Sequence, residues 1–297
     1  MPALQRLLIA LSAFACLASG GYSQVSGNNR TLEKPHEVRL TGAARDFNFS
    51  TAFGRLRIRW QVASTDYFGK EPYYVVKESW EQAAKTLSRR QFPAALRSSP
   101  FDWNLVFMDE AATVRVYPFG KQDCHPAWIT PPADIFVSAF YIGTGCRQGV
   151  LPEQEARNRL RGTLYHEFGH AIEYQLLGAA VKGAERYHSE GFAEWFEVQA
   201  LSDHGLSGEA RQIQQGSKKH FLENWNPKTF SGSNSDYYRA YAMIESIVKK
   251  RSLSGLLRVY EVIKREEIPF DAAVKKELGW TPAQWMKEAA ALYTRGY

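Results

Sequence analysis

The 297-residue chain predicts an α+β fold, with a small mixed sheet and a packed helix in an N-terminal lobe followed by a mostly helical C-terminal lobe. Three observations carry this. Up to about residue 150, short runs rich in β-branched and aromatic residues flank one stretch whose apolar positions recur at helical spacing. Beyond Gly149, segment after segment repeats that helical spacing. Apolar residues make up 44% of the chain, with 8 Trp, 15 Tyr and 17 Phe, which is enough for a substantial core and argues against disorder.

The first 23 residues read as a secretory signal peptide: Arg6, an apolar stretch from Leu7 to Ala18, then small residues, with cleavage after Gly20 or Ser23. The stretch is too short to span a bilayer, and the sequence offers no later span. A lipoprotein site at Cys16 is the competing expectation, with Ala13, Phe14 and Ala15 a poor context for it. Export leaves Cys124 and Cys146, which are expected to pair across 21 intervening residues and so stabilise the fold by about 3 kcal/mol. Residues 24–50 are polar and mixed, and read as a loosely packed arm.

The α+β lobe is expected over 51–150. RLRIRWQVA (55–63) alternates basic or polar with apolar residues, as a strand with one wet face does, and YYVVKESWEQAAKTLSRR (73–90) reads as a helix. WNLVFMD (103–109), ATVRVYPF (112–119) and ADIFVSAFYI (133–142) read as strands, with QDCHPAWITPP an irregular segment between the last two. In the helical lobe (151–297) a helix opens near Pro152 and stops at Gly178, and a second opens with Ser189 as its N-cap. Residues 204–236 read as a long loop with one short helix, a candidate lid. DYYRAYAMIESIVKKR, SGLLRVYEVIKRE, FDAAVKKEL and TPAQWMKEAAALY complete the helices.

The formal net charge is +6, but the basic residues are scattered rather than set in a stripe with interleaved aromatics, so nucleic acid is not an expected partner. The chemistry concentrates in LYHEFGHAIEY (164–174). Residues four apart on a helix share a face, so His166 and His170 can reach one metal ion while Glu167, beside that face, can act as a base. A tetrahedral ion with an open position needs a third protein ligand. Glu190, in SEGFAEWFE, follows His170 after 19 residues and has Glu194 one turn further on; His188, Glu194 and His204 compete for the place. Glu194 then suits a hydrogen bond to the outer N–H of a ligating imidazole. Two imidazoles and a carboxylate around an open position point to Zn2+.

HEFGH followed by EGFAE resembles the gluzincin metallopeptidases of the peptidase MA-like superfamily, which includes thermolysin and the aminopeptidase N family. The resemblance implies His166, His170 and Glu190 as zinc ligands, Glu167 as general base and Glu194 behind the ligands, where thermolysin-like enzymes carry Asp. YRAYAMIESIV resembles the aminopeptidase helix that opens with a tyrosine stabilising the transition state. That role falls on Tyr238, with Tyr237 and Tyr241 as alternatives. SAFYIG stands where these enzymes have the strand at the cleft edge, which would give the backbone at Ala139 to an extended substrate. The Gly-x-Met-Glu-Asn segment that captures a free N-terminus is absent, as is the extended metzincin pattern, so an endopeptidase is expected rather than an exopeptidase.

The expected function is therefore a secreted or periplasmic zinc metallopeptidase that hydrolyses peptide or protein substrates with water activated by zinc and Glu167. The rival readings are a catalytically inactive relative that binds peptides or a surface partner, and a hydrolase of a non-peptide amide or ester.

Overall fold

Alternation along one strand builds the start of the sheet. In β2 (Gly54–Gln61) Arg55 and Arg57 are exposed while Leu56 and Ile58 are fully buried. The computed structural model describes residues 44–51, 54–61, 67–68, 72–93, 101–111, 113, 126–130, 134–146, 148–178, 185–220 and 225–294. Among them the fold is α+β, with one mixed sheet and a mostly helical C-terminal region. Residues 1–23 and 114–120, and with them the signal peptide and most of the strand expected over 112–119, lie outside the described residues. Cys146 is disulfide-bonded, and its expected partner Cys124 also lies outside them.

The chain divides into two compact units, Met1–Ala84 with Ser98–Leu164, and Lys85–Arg97 with Tyr165–Tyr297. In the first, β1 (Ala44–Thr51) pairs antiparallel with β2. After helix α1 (Pro72–Arg89) the chain returns as β3 (Phe101–Met108), parallel to β2, the arrangement that a helical crossover permits. β4 (Ala127–Thr130) and β5 (Asp134–Ser138) complete the order β1-β2-β3-β5-β4. Trp103, Leu105 and Phe107 of β3 and Ile135, Phe136 and Val137 of β5 form the buried centre of the sheet.

Three expectations for this unit are corrected. Residues 44–50 of the expected arm are strand, because Phe47 and Phe49 fall in an alternating run that β2 can pair. AWIT, within the segment read as irregular, is the edge strand β4. The strand expected through residue 142 ends at Ser138, whose hydroxyl accepts from the Tyr141 N–H at 3.1 Å and caps helix α2 (Ala139–Gly143). Ala139 is thus a buried helical residue, and β5 lies between β3 and β4 rather than at an edge. An open strand edge at Ala139 is ruled out.

Helix α3 (Glu153–Leu177) begins in the first unit, where Arg161 Nη2 donates to Glu78 Oε2 at 2.8 Å and Arg157 Nε to the Phe68 carbonyl at 2.8 Å. It stops at Gly178, whose φ of +59° suits a residue without a Cβ. From Tyr165 onward α3 belongs to the second unit, together with α4 (Arg186–Asp203), α5 (Ser207–His220), α6 (Asn234–Glu266), α7 (Phe270–Leu278) and α8 (Pro282–Thr294). Ser189, expected as an N-cap, lies inside α4, and the expected loop over 204–236 carries the fourteen-residue α5. The two helices read on either side of residue 252 are both present, joined within α6 at a break where Ser252 takes φ +64° and ψ +169°.

Two glycines set how closely the helices approach. A Cβ on Gly169 of α3 would stand 2.7 Å from the Ala193 Cα of α4. One on Gly191 of α4 would stand 2.4 Å from the Ala240 carbonyl oxygen of α6. No side chain fits at either place, so α3 meets α4 and α4 meets α6 backbone to backbone. No helix among the described residues is long and apolar enough to cross a membrane.

Candidate metal centre

Helical spacing puts His166 and His170 one turn apart on α3, and their Nε2 atoms lie 3.2 Å from each other. The Gly169–Ala193 crossing brings the start of α4 alongside, so that Glu190 Oε2, in its second turn, stands 3.3 Å from each Nε2. Donors about 2.0–2.1 Å from a tetrahedral metal ion lie about 3.3 Å from one another, the spacing of this triangle. His166, His170 and Glu190 are therefore close enough to hold a metal ion, and all three are buried.

Outer contacts orient each of the three side chains. His170 Nδ1 meets Ser189 Oγ at 3.1 Å, and Ser189 is hydrogen-bonded in turn to Glu173. Glu173 Oε1 also accepts from His188 Nδ1 at 3.0 Å and from the Tyr260 hydroxyl at 2.8 Å. His166 Nδ1 faces two carboxylates, Glu194 Oε1 at 3.5 Å and Glu197 Oε2 at 3.6 Å. A proton on each Nδ1 leaves the Nε2 lone pairs directed at the common point, the usual way in which a carboxylate or hydroxyl behind a histidine selects its tautomer. The other oxygen of Glu190 lies 3.3 Å from Arg186 Nε, one turn back on α4. Arg186 Nη2 also donates to the Tyr237 hydroxyl at 3.4 Å, and its guanidinium lies over the Phe230 ring.

The field at the centre is negative. Glu167, Glu173, Glu190, Glu194 and Glu197 are all buried on α3 and α4. Burial by itself lowers the pKa of His166, but Glu190, Glu197 and Glu194 raise it well above the usual imidazole range. Burial raises that of Glu190, yet the two imidazoles bring it down to about 2, so it is a carboxylate throughout the physiological range. Burial and then repulsion from Glu197 push the Glu194 carboxyl well above its usual range, and burial pushes Glu197 up. A field that draws a proton onto His166 equally favours a divalent cation there.

Glu167, in the same turn as His166, is fully buried. Of the competing third ligands, His188 is engaged with Glu173 and stacked on Phe270 and His204 with the Tyr165 hydroxyl, while Glu194 lies on the Nδ1 side of His166, where it, Glu197 and His166 form a second group close enough to hold an ion. Tyr238 stacks on His220 and sits against Gly216. It is Tyr237, one residue and about 100° earlier on the helix, whose ring lies 6.2 Å from that of His166. Tyr241 is hydrogen-bonded to Gln214 and Tyr293.

Sequence reasoning missed Arg186, Ser189, Glu173 and Glu197. Glu197 was legible, since EGFAEWFE sets acids at 190, 194 and 197, the spacing of one helical face. For Arg186 only the i, i+4 spacing to Glu190 was legible, because its contacts with Tyr237 and Phe230 depend on how other segments approach α4. Neither protein-family models nor curated proteins match the chain.

Proposed function

We propose that the chain is an exported, zinc-dependent metallopeptidase acting as an endopeptidase. The observation that carries the reading is the triangle of His166 Nε2, His170 Nε2 and Glu190 Oε2, with sides of 3.2, 3.3 and 3.3 Å, and with Glu167 in the same helical turn. Two neutral imidazoles and one carboxylate in a buried tetrahedral setting are a zinc donor set. Zinc, when bound, acts as a Lewis acid toward a carbonyl oxygen and toward water.

The chain's own groups supply the rest. Glu167 takes a proton from the attacking water and returns it to the leaving nitrogen, so that the amide departs as a neutral amine. Tyr237, whose oxygen accepts from Arg186, donates its own O–H to the developing oxyanion, taking the role that the resemblance assigned to Tyr238. Arg186 holds the outer oxygen of Glu190, which leaves Oε2 turned toward the imidazoles. Export rests on the N-terminal segment and on the disulfide-bonded Cys146.

The test is cleavage of a denatured protein mixture, read by mass spectrometry, with metal content measured alongside. Glu167→Gln should keep its zinc and lose about 10²–10⁴-fold in rate. A Glu167→Gln protein as fast as wild type removes the general base from this account. A wild-type protein that holds zinc yet cleaves nothing supports the peptide-binding alternative instead.

A further inference from the structure

In the second unit, α5, α6 and α8 line a cavity of about 350 Å³, the size range of pockets for small organic ligands. Its charge is one-sided. Arg211 and Lys218, seven residues and two turns apart on α5, reach it from one wall, and Lys249 of α6 from another. Glu245, the acid of the lining, is already engaged: Oε2 accepts from Trp195 Nε1 at 2.8 Å, and Oε1 lies 3.7 Å from Lys249 Nζ. Among the described residues neither Arg211 nor Lys218 has a carboxylate partner, and Arg211 Nε donates to the Ser207 carbonyl.

The rest of the lining is firm and partly apolar. Tyr241 is 1% exposed and hydrogen-bonded both to Gln214 of α5 and to Tyr293 of α8. Leu292 adds an aliphatic surface. Tyr241 and Leu292 are buried and the tyrosine pair is cross-linked, so a ligand need not order that side of the cavity, while Arg211, Gln215, Lys218 and Lys249 are exposed.

We infer that this cavity binds a small amphiphilic anion, a carboxylate or phosphate monoester whose head sits between Arg211 and Lys218 and whose aromatic or aliphatic body lies along Leu292 and the tyrosine rings. Two cations without acidic partners select the charge. The depth beyond them, lined by rings and a leucine, selects a body rather than a bare oxyanion. None of these side chains belongs to the imidazole cluster, so the inference stands or falls separately from the peptidase reading.

Calorimetric titration of the metal-loaded chain with phenyl phosphate, benzoate, inorganic phosphate and benzyl alcohol tests it. Phenyl phosphate or benzoate should bind at one site, and which of them binds more tightly distinguishes a phosphate head from a carboxylate one. Inorganic phosphate should bind about tenfold or more weakly, and benzyl alcohol should give no heat. Arg211→Ala with Lys218→Ala should weaken the better ligand by about tenfold or more while metal content and thermal midpoint stay unchanged, both positions being exposed. Single Arg211→Lys should restore part of the affinity. The inference is overturned if no anion binds at millimolar concentration, if inorganic phosphate binds as tightly as phenyl phosphate, or if the double variant binds as wild type does.

Discussion

Gly169→Ala separates the stability of the helix pair from the geometry of the metal centre. The added Cβ would lie 2.7 Å from the Ala193 Cα, 3.2 Å from the Ala193 oxygen and 3.3 Å from the Phe196 Cβ. Carbon atoms rest about 3.5–4.0 Å apart, so α3 and α4 must part by about 1 Å. Two effects on stability oppose each other: alanine in place of a helical glycine contributes about 1 kcal/mol, and overpacking costs about 1–3 kcal/mol. The metal-free protein should therefore lose no more than about 2 kcal/mol. The triangle suffers more, because Glu190 rides on α4. With Oε2 moved from 3.3 Å to about 4 Å from each imidazole, a third bond of about 2 Å can no longer form. Zinc affinity should fall on the order of a hundredfold or more, at least what loss of an outer-shell partner costs. Competition against a chromogenic chelator gives the affinity, and urea unfolding of the apo protein gives the stability. A Gly169→Ala protein that binds zinc as tightly as wild type would refute the claim that this contact positions the third ligand.

Tyr237→Phe should lower kcat by about ten- to a thousandfold with little change in KM, whereas Tyr238→Phe should leave kcat within about twofold; peptide-cleavage kinetics with the order reversed would return the role to Tyr238. Asp236 accepts from the Ser231 N–H at 2.8 Å, the Ser231 hydroxyl at 2.6 Å and Trp225 Nε1 at 2.8 Å, tying residues 225–231 to the start of α6, so Asp236→Ala should cost about 2–4 kcal/mol in denaturant unfolding. The Asp236 carboxyl is partly desolvated, which raises its pKa, but the Ser231, Ser233 and Trp225 donors lower it below the usual 3.8. Its folded pKa is thus below its unfolded one, so its contribution is complete above pH 3.8 and is lost as pH falls through the folded value. Asp236→Asn should flatten that part of the stability–pH curve, and an unchanged acid limb would show that the carboxylate contributes nothing there. Gly191→Ala, with a Cβ 2.4 Å from the Ala240 oxygen, should separate α4 from α6 and reduce kcat through Tyr237 more than it weakens metal binding. Equal loss of both would indicate general disruption of the second unit.

What the residue order determined by itself is whatever depends on contacts within one element. The i, i+4 spacing of His166 and His170, the stop at Gly178 and the alternation of Arg55, Leu56, Arg57 and Ile58 follow from local backbone geometry, and each is found as expected. Competition between local signals blurred other boundaries: Ser138 caps a helix where a branched and aromatic run favoured a strand, and Ser189 supports His170 from within α4 rather than capping it. Tertiary structure alone decided which tyrosine faces His166, that Arg186 joins Glu190 to Tyr237, and that β5 is an interior strand. The physical reason is the approach of separate segments. A 100° turn of α6 exchanges Tyr237 for Tyr238, and that rotation is set where Gly191 lets two helix backbones touch, a contact between residues 49 positions apart that leaves no periodic trace in the chain.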